Sequence, residues 1–217
     1  MDTMTVKKEI CEIGRRLYDC GFAISNDGNI SVKISDDEIW ATPTGVSKGY
    51  MTEDMLVCVN SKGEIISGGR NPSSEIKMHL KVYEMRKDIN AVVHAHPPLA
   101  TAFAVCHTPL DKHYLTEAVV GIGEVKVAAY ATPSTDEVPN SIVPFLHDSN
   151  AVLLANHGAL TWDETLLGAF FKLQTVEFLA QLSINVKQIG NAKELSKEHV
   201  EQLIGMRDFY KNYVNKK

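Results

Sequence analysis

The 217-residue sequence has no run of eighteen apolar residues, and its opening stretch, Met1-Asp2-Thr3-Met4-Thr5-Val6-Lys7-Lys8, lacks the hydrophobic core of a signal peptide. A soluble, cytoplasmic protein with no membrane partner is expected. Cysteine is scarce: Cys11, Cys20, Cys58 and Cys106 show no paired spacing, which argues against a disulfide framework and for ordinary reduced thiols. Positive charge is also short, with 22 Lys and Arg against 27 Asp and Glu, a formal net charge of -5. That balance disfavours a nucleic-acid groove or an anionic membrane surface and leaves a small molecule as the expected partner. Internal repeats, low-complexity tracts and Pro/Gly-rich linkers are absent too, so residues 1–217 read as one domain, long enough to build a core without metal or disulfide support.

What is present is a pattern of alternating helical and extended periodicity. Val6, Ile10, Ile13 and Leu17 recur at helical spacing up to a stop near Gly21. Alternation then takes over at Ile30, Val32 and Ile34, at Ile39 to Ala41, and at Leu56 to Val59 with Ile65 and Ile66 around a Ser61-Lys62-Gly63 turn, which predicts an antiparallel meander. Ser73-Ser74-Glu75 opens a helix through Ile76, Leu80 and Tyr83. Strands are expected at 91–95, 125–130 and 151–155, with helices around 99–105 and 136–146. The long pattern from Glu164 to Gln188 is helical and ends at Gly190, and Ser196 opens a last helix with Val200, Leu203 and Ile204.

The chemistry begins in Ala91-Val92-Val93-His94-Ala95-His96-Pro97. A strand puts residues i and i+2 on one face, so His94 and His96 project together at the end of an apolar run. A third imidazole, His157, follows the apolar strand Ala151 to Ala155, and Glu75 supplies a carboxylate at the helix before the first pair. Three imidazoles and one carboxylate form a four-coordinate set suited to Zn²⁺ rather than Mg²⁺ or Ca²⁺, one ion per chain.

Three segments rich in glycine and small hydroxyl residues adjoin element boundaries: Asp27-Gly28-Asn29, Pro43-Thr44-Gly45 and Pro72-Ser73-Ser74. Backbone N–H groups with hydroxyls nearby can hold a phosphate where lysines are few, and the third segment sits at a helix N-terminus, where the dipole favours an anion. Glu75 follows the last of these directly. A phosphorylated substrate could therefore rest its phosphate on Ser73-Ser74 and its reactive end on the metal.

Taken together, Gly28-Asn29-Ile30-Ser31, Thr42-Pro43-Thr44-Gly45, Pro72-Ser73-Ser74-Glu75, Val93-His94-Ala95-His96 and Asn156-His157-Gly158 resemble the class II aldolase/adducin family in order and separation, over about residues 5 to 190. The resemblance implies an α/β/α sandwich around a mostly antiparallel sheet and a homotetramer with active sites between subunits. It also implies zinc on His94, His96 and His157, with Glu75 as ligand and proton-transfer residue, and phosphate contacts at Gly28, Asn29, Thr44, Gly45, Ser73 and Ser74. Tyr114 resembles the tyrosine that family aldolases lend to the leaving aldehyde oxygen. Glu117 departs from the aldolase pattern and stands near the acid used by family epimerases and dehydratases.

The implied activity is cleavage of a ketose 1-phosphate to dihydroxyacetone phosphate and an aldehyde, with epimerase, dehydratase and decarboxylase as alternatives of the same fold. Glu75, where epimerases carry aspartate, favours the aldolase. A metal-free binding protein of adducin type does not need the four ligands, and a Schiff-base aldolase needs a lysine at the end of an apolar strand, which this chain lacks. His79, one turn after Glu75, reads as a helix-face residue near the site. His107, His113, His147 and His199 read as surface or interface residues, and Trp40 and Trp162 as packing. Substrate choice beyond the reacting carbons could fall to Phe209-Tyr210-Lys211-Asn212-Tyr213.

Overall fold

In the computed structural model, which describes residues 2–206, every strand joins one eight-stranded sheet. The elements run α1 (Thr3–Asp19), β1 (Asn29–Ser35), β2 (Glu38–Ala41), β3 (Val57–Val59), β4 (Ile65–Ser67), α2 (Ile76–Met85), β5 (Ala91–Ala95), α3 (Pro98–Val105), α4 (Thr116–Gly121), β6 (Lys126–Ala128), α5 (Glu137–Ile142), β7 (Ala151–Leu154), β8 (Gly158–Asp163), α6 (Leu166–Ile189) and α7 (Lys197–Gly205). Strand order is β4-β3-β2-β1-β5-β8-β7-β6, antiparallel throughout except for the parallel β6–β7 pair. The expected meander is β1 to β4.

Strand alternation sorts side chains into two apolar layers. Ala91, Val93 and Ala95 of β5, Ile30 and Val32 of β1, and Ala151 and Leu153 of β7 pack with α1, α3 and α6 on one face. Val92, Val152, Leu154, Leu160 and Trp162 pack with Ile76, Met78, Val82 and Tyr83 of α2 and Val138 and Ile142 of α5 on the other. The result is the α/β/α sandwich. By the same parity His94, in step with Val92, faces α2, and so do Asn29 and Ser31 of β1.

Helix ends match their sequence signals. Asp2 accepts from the N–H of Thr5 at the start of α1, and Gly21, at φ +71°, lets the N–H of Phe22 return to the Leu17 carbonyl at its end. Thr165 caps α6 through the N–H of Gly168, and Gly190, at φ +80°, closes it.

The structure corrects five sequence expectations. The central strand β8 was not foreseen, because Gly158-Ala159-Leu160-Thr161-Trp162 mixes glycine and polar residues and is buried on both faces, so it lacks clean alternation. Helix α4 is also additional, a single short piece around Ala118 and Val119. The 125–130 strand contracts to Lys126–Ala128, and the 136–146 helix is α5 followed by a 3₁₀ turn over Val143–Phe145, where Pro144 leaves no N–H for a continued helix. Finally His79 is a core residue, buried against β1 and not on a solvated helix face. Both tryptophans are buried, and all four cysteines are free thiols. Residues 209–213 lie outside the described residues.

Candidate metal centre

Two antiparallel neighbours in the middle of the sheet carry the histidines. His94 pairs with Leu160 and Ala95 with Ala159 across β5–β8, so the end of β5 lies beside the Asn156-His157-Gly158 turn that links β7 to β8. Asn156 adopts φ +57°, a left-handed conformation that asparagine tolerates, and the Leu154 carbonyl receives the N–H of His157. His107 Nε2 lies 2.7 Å from Asn156 Oδ1 and ties this turn to the end of α3. A Cβ on Gly158 would fall 2.6 Å from both the Ala95 carbonyl oxygen and His96 Cδ2. Only glycine lets the rings close up.

The imidazoles of His94, His96 and His157 each offer a nitrogen within 4.8 Å of the others, with ring centroids 4.7 to 5.1 Å apart. His94 Nδ1 donates to the Ala159 carbonyl at 2.9 Å, which fixes its proton there and leaves Nε2 with a lone pair. That Nε2 lies 3.1 Å from His96 Nε2, while His96 Nδ1 faces the Asp27 carboxylate at 3.6 Å. Burial and the neighbouring imidazoles push His94 well below the usual histidine range. Burial and His157 lower His96 as well, against the opposing pull of Asp27. Neutral imidazoles with convergent lone pairs are what a cation requires.

Glu75 completes the set. It stands at the N-cap of α2, with Oε2 3.4 Å from His94 Nε2 and Oε1 3.4 Å from His157 Nε2. Oε1 is buried and has no hydrogen-bond partner. Donor separations of 3.1 and 3.4 Å match the edges of a tetrahedron whose centre lies about 2.0–2.1 Å from each donor, the distance of Zn²⁺ to nitrogen and oxygen ligands. The residues present fit a divalent metal, and the orphaned oxygen gives the carboxylate a reason to be there.

The glycine and hydroxyl segments come together beside this centre. Pro43 and Pro72 form a β-bridge, the N–H of Thr44 donates to the Asn71 carbonyl, and the N–H of Ser73 donates to that of Thr42. Ser73 Oγ accepts from the N–H of Glu75. Thr44, Gly45 and Ser74 are exposed, and Gly45 at φ +70° has open space around it. Gly28, at φ +74°, sits so close to β5 that a Cβ would meet the His94 carbonyl oxygen at 2.9 Å. The Asn29 side chain is buried and engaged, donating from Nδ2 to Glu75 Oε2 at 2.9 Å and accepting at Oδ1 from His79.

Lys48 was not anticipated. It is 2% exposed, and its Nζ donates to the carbonyls of Asn26 at 2.9 Å and Val46 at 2.6 Å, tying the Asp27-Gly28 loop to the Thr44-Gly45 loop. Burial pushes its ammonium down to about 8, with Asp27 pulling the other way. Among the expected site residues, Tyr114 and Glu117 stand apart. Glu117 is exposed at the start of α4, where its own backbone N–H and then the Thr116 hydroxyl, from which it accepts, lower its carboxyl, and among the described residues neither it nor Tyr114 bonds to His94, His96 or His157. A groove of about 570 Å³ between α2, α5 and the β1–β2 end holds none of the metal residues.

Comparison with known proteins agrees with this geometry. Residues 8–184 match the family described as the class II aldolase and adducin N-terminal domain. A 5-deoxy-D-ribulose 1-phosphate aldolase of Bacillus thuringiensis serovar kurstaki is 34% identical over 198 residues, 91% of this chain and 92% of that protein. A 3-oxo-tetronate 4-phosphate decarboxylase of Haemophilus influenzae is 29% identical, over 84% of this chain and 88% of its own length. A solved L-fuculose 1-phosphate aldolase superposes with a TM-score of 0.88 at 33% identity, covering 94% of this chain and 97% of that one.

Proposed function

Because the chain belongs to the class II aldolase and adducin family and carries the metal-dependent, carbon–carbon lyase form of its site, we propose that it cleaves a ketose 1-phosphate to dihydroxyacetone phosphate and an aldehyde. Glu75 carries this reading: a carboxylate with one oxygen held by Asn29 and the other buried without a hydrogen-bond partner, beside three convergent imidazoles. Support comes from the aldolase names of relatives at 34% and 33% identity. A six-carbon 6-deoxyketose phosphate and a five-carbon 5-deoxyketose phosphate are the two substrates those names favour.

His94, His96, His157 and Glu75 would hold one zinc ion per subunit, which supplies Lewis acidity for the charge that develops on the substrate oxygens. Gly28, Asn29, Thr44, Gly45, Ser73 and Ser74 would seat the phosphate and so fix which carbons reach the metal. The C3–C4 bond breaks as the C4 hydroxyl loses its proton and the bonding electron pair passes to C3; Glu75, ionised at rest, takes up that proton by way of Tyr114 or solvent and delivers it to C3, so that one proton moves from O4 to C3. Tyr114 is proposed as the group that exchanges the proton at the aldehyde oxygen. In this reading a neighbouring subunit brings that tyrosine to the site. The exposed apolar residues Leu167, Phe171 and Phe178 on α6 offer a surface for such packing, consistent with a homotetramer. Among the described residues no helix is long and apolar enough to cross a membrane.

The decarboxylase relative favours a second reading, in which Glu117 acts as the acid and the product differs. Incubation of the zinc-loaded protein with a panel of ketose 1-phosphates, coupled to glycerol-phosphate dehydrogenase, separates the two. Dihydroxyacetone phosphate release supports the aldolase. An epimer, a dehydrated sugar or carbon dioxide without that product would overturn it.

A further inference from the structure

Behind Glu75 runs a buried chain of four side chains. Tyr83 Oη lies 2.7 Å from Ser31 Oγ, Ser31 Oγ 2.7 Å from His79 Nδ1, His79 Nε2 2.6 Å from Asn29 Oδ1, and Asn29 Nδ2 2.9 Å from Glu75 Oε2. Two sequence periods assemble it: Glu75, His79 and Tyr83 form an i, i+4, i+8 stripe on α2, and Asn29 and Ser31 alternate on the facing side of β1. His79, Tyr83, Ser31 and Asn29 are all buried.

We propose that His79 is a positioning residue for Glu75, acting through Asn29 to hold Oε2 and leave Oε1 free for the metal and the substrate proton. The proposal rests on the reading of Glu75 given above. Its direction follows from donor and acceptor counting. An ionised carboxylate only accepts, so Asn29 must present its amide N–H₂ to Glu75 and its oxygen to His79. His79 must then donate from Nε2 and accept at Nδ1. Ser31 must donate to that nitrogen, and the Tyr83 hydroxyl donates toward Ser31 Oγ at 2.7 Å and the Ser31 carbonyl at 3.0 Å. Asn29, His79 and Ser31 each have one permitted role. Burial keeps His79 neutral, pushing it down to about 3, and raises the Tyr83 hydroxyl out of the ordinary range, so neither end of the chain supplies a competing charge.

A core-filling role for His79 would need only shape, so the discriminating variants change hydrogen bonding. His79→Gln offers an amide N–H where Nε2 stands; His79→Leu offers none. Zinc alone, titrated into the metal-stripped full-length protein, is expected to bind about 10–100-fold more weakly to His79→Leu, as is usual when a ligand's supporting hydrogen bond is lost. On the ketose phosphate that the wild type cleaves, kcat should fall by a similar factor with KM within about twofold, and His79→Gln should restore most of both. Nitrogen-15 spectra of histidine-labelled wild-type protein should show His79 neutral and protonated on Nε2. A His79 protonated on Nδ1, an imidazolium at neutral pH, a folded His79→Leu with unchanged zinc affinity and kcat, or a His79→Gln as impaired as His79→Leu would each overturn the proposal. The spectra need no variant that folds. They and the zinc titration stand even if no ketose phosphate is cleaved, which would strike only the proposed reaction.

Discussion

Gly158 meets His96 with no space for a methyl group between them: the position a Cβ would take is 2.6 Å from His96 Cδ2. The glycine in Asn156-His157-Gly158 is thus a spatial requirement of the histidine cluster, set by the β5–β8 pairing that brings the two strands side by side.

Gly158→Ala is therefore expected to lose zinc. The backbone oxygen of Ala95, also at 2.6 Å, cannot move without breaking the ladder, so the ring of His96 must swing away. Overpacking of this kind typically costs about 1–3 kcal/mol, and both a lowered melting temperature and a loss of zinc binding by calorimetry should register it.

Elemental analysis after zinc reconstitution should give one ion per chain in the wild type and none in a His94→Ala/His157→Ala double variant. Full zinc retention in that variant would place the metal elsewhere.

Glu75→Gln should fold normally, because its free oxygen makes no hydrogen bond whose loss would destabilise the protein. Turnover should drop by roughly 10²–10⁴-fold, the usual share of general acid–base catalysis. Steady-state measurements with substrate in excess would show near-normal kcat if Glu75 took no part.

The buried Lys48 makes stability depend on alkaline pH. Its folded-state value of about 8 lies below the ordinary 10.5, so between those limits the folded chain has released a proton that the unfolded chain keeps. Unfolding free energy then rises with pH across that window, by up to about 1.4 kcal/mol per unit. The neutral amine still has two N–H groups for the two carbonyls it faces. Urea titrations at pH 7, 8, 9 and 10 should show this gain in the wild type relative to Lys48→Met.

Glu177 of α6 accepts the backbone N–H groups of Leu99 and Ala100, at 3.0 and 2.8 Å, where α3 starts without a side-chain cap of its own just after His96. Glu177→Leu should cost about 1–3 kcal/mol in chemical denaturation, since two part-buried donors lose a charged acceptor.

The histidine pair was legible in the sequence because one residue between two histidines leaves a strand no choice of face, and Glu75 because helix signals bracket it. His157 was legible as the end of an apolar run, but the strand after it was hidden by its lack of alternation. Asp27, Ala159 and Lys48 contribute through a carboxylate, a main-chain carbonyl and an aliphatic stem with a buried tip, none of which leaves a periodic trace. His79 did leave one. Its i+4 spacing from Glu75 and the parity of Asn29 and Ser31 describe the hydrogen-bonded chain, but only once β1 and α2 are known to face each other.

The pairing of β5 with β8 joins residues some 68 positions apart, as in Val93 with Thr161. Contacts so distant in sequence form slowly, because a long loop must close before they gain anything. His94 and His157 therefore meet only when the middle of the sheet has zipped, and the nascent chain offers a passing metal ion the local His94 and His96 pair at most. Metal loading becomes a report on completed folding. Once captured, the ion stabilises the finished sheet by mass action and leaves its precursors alone.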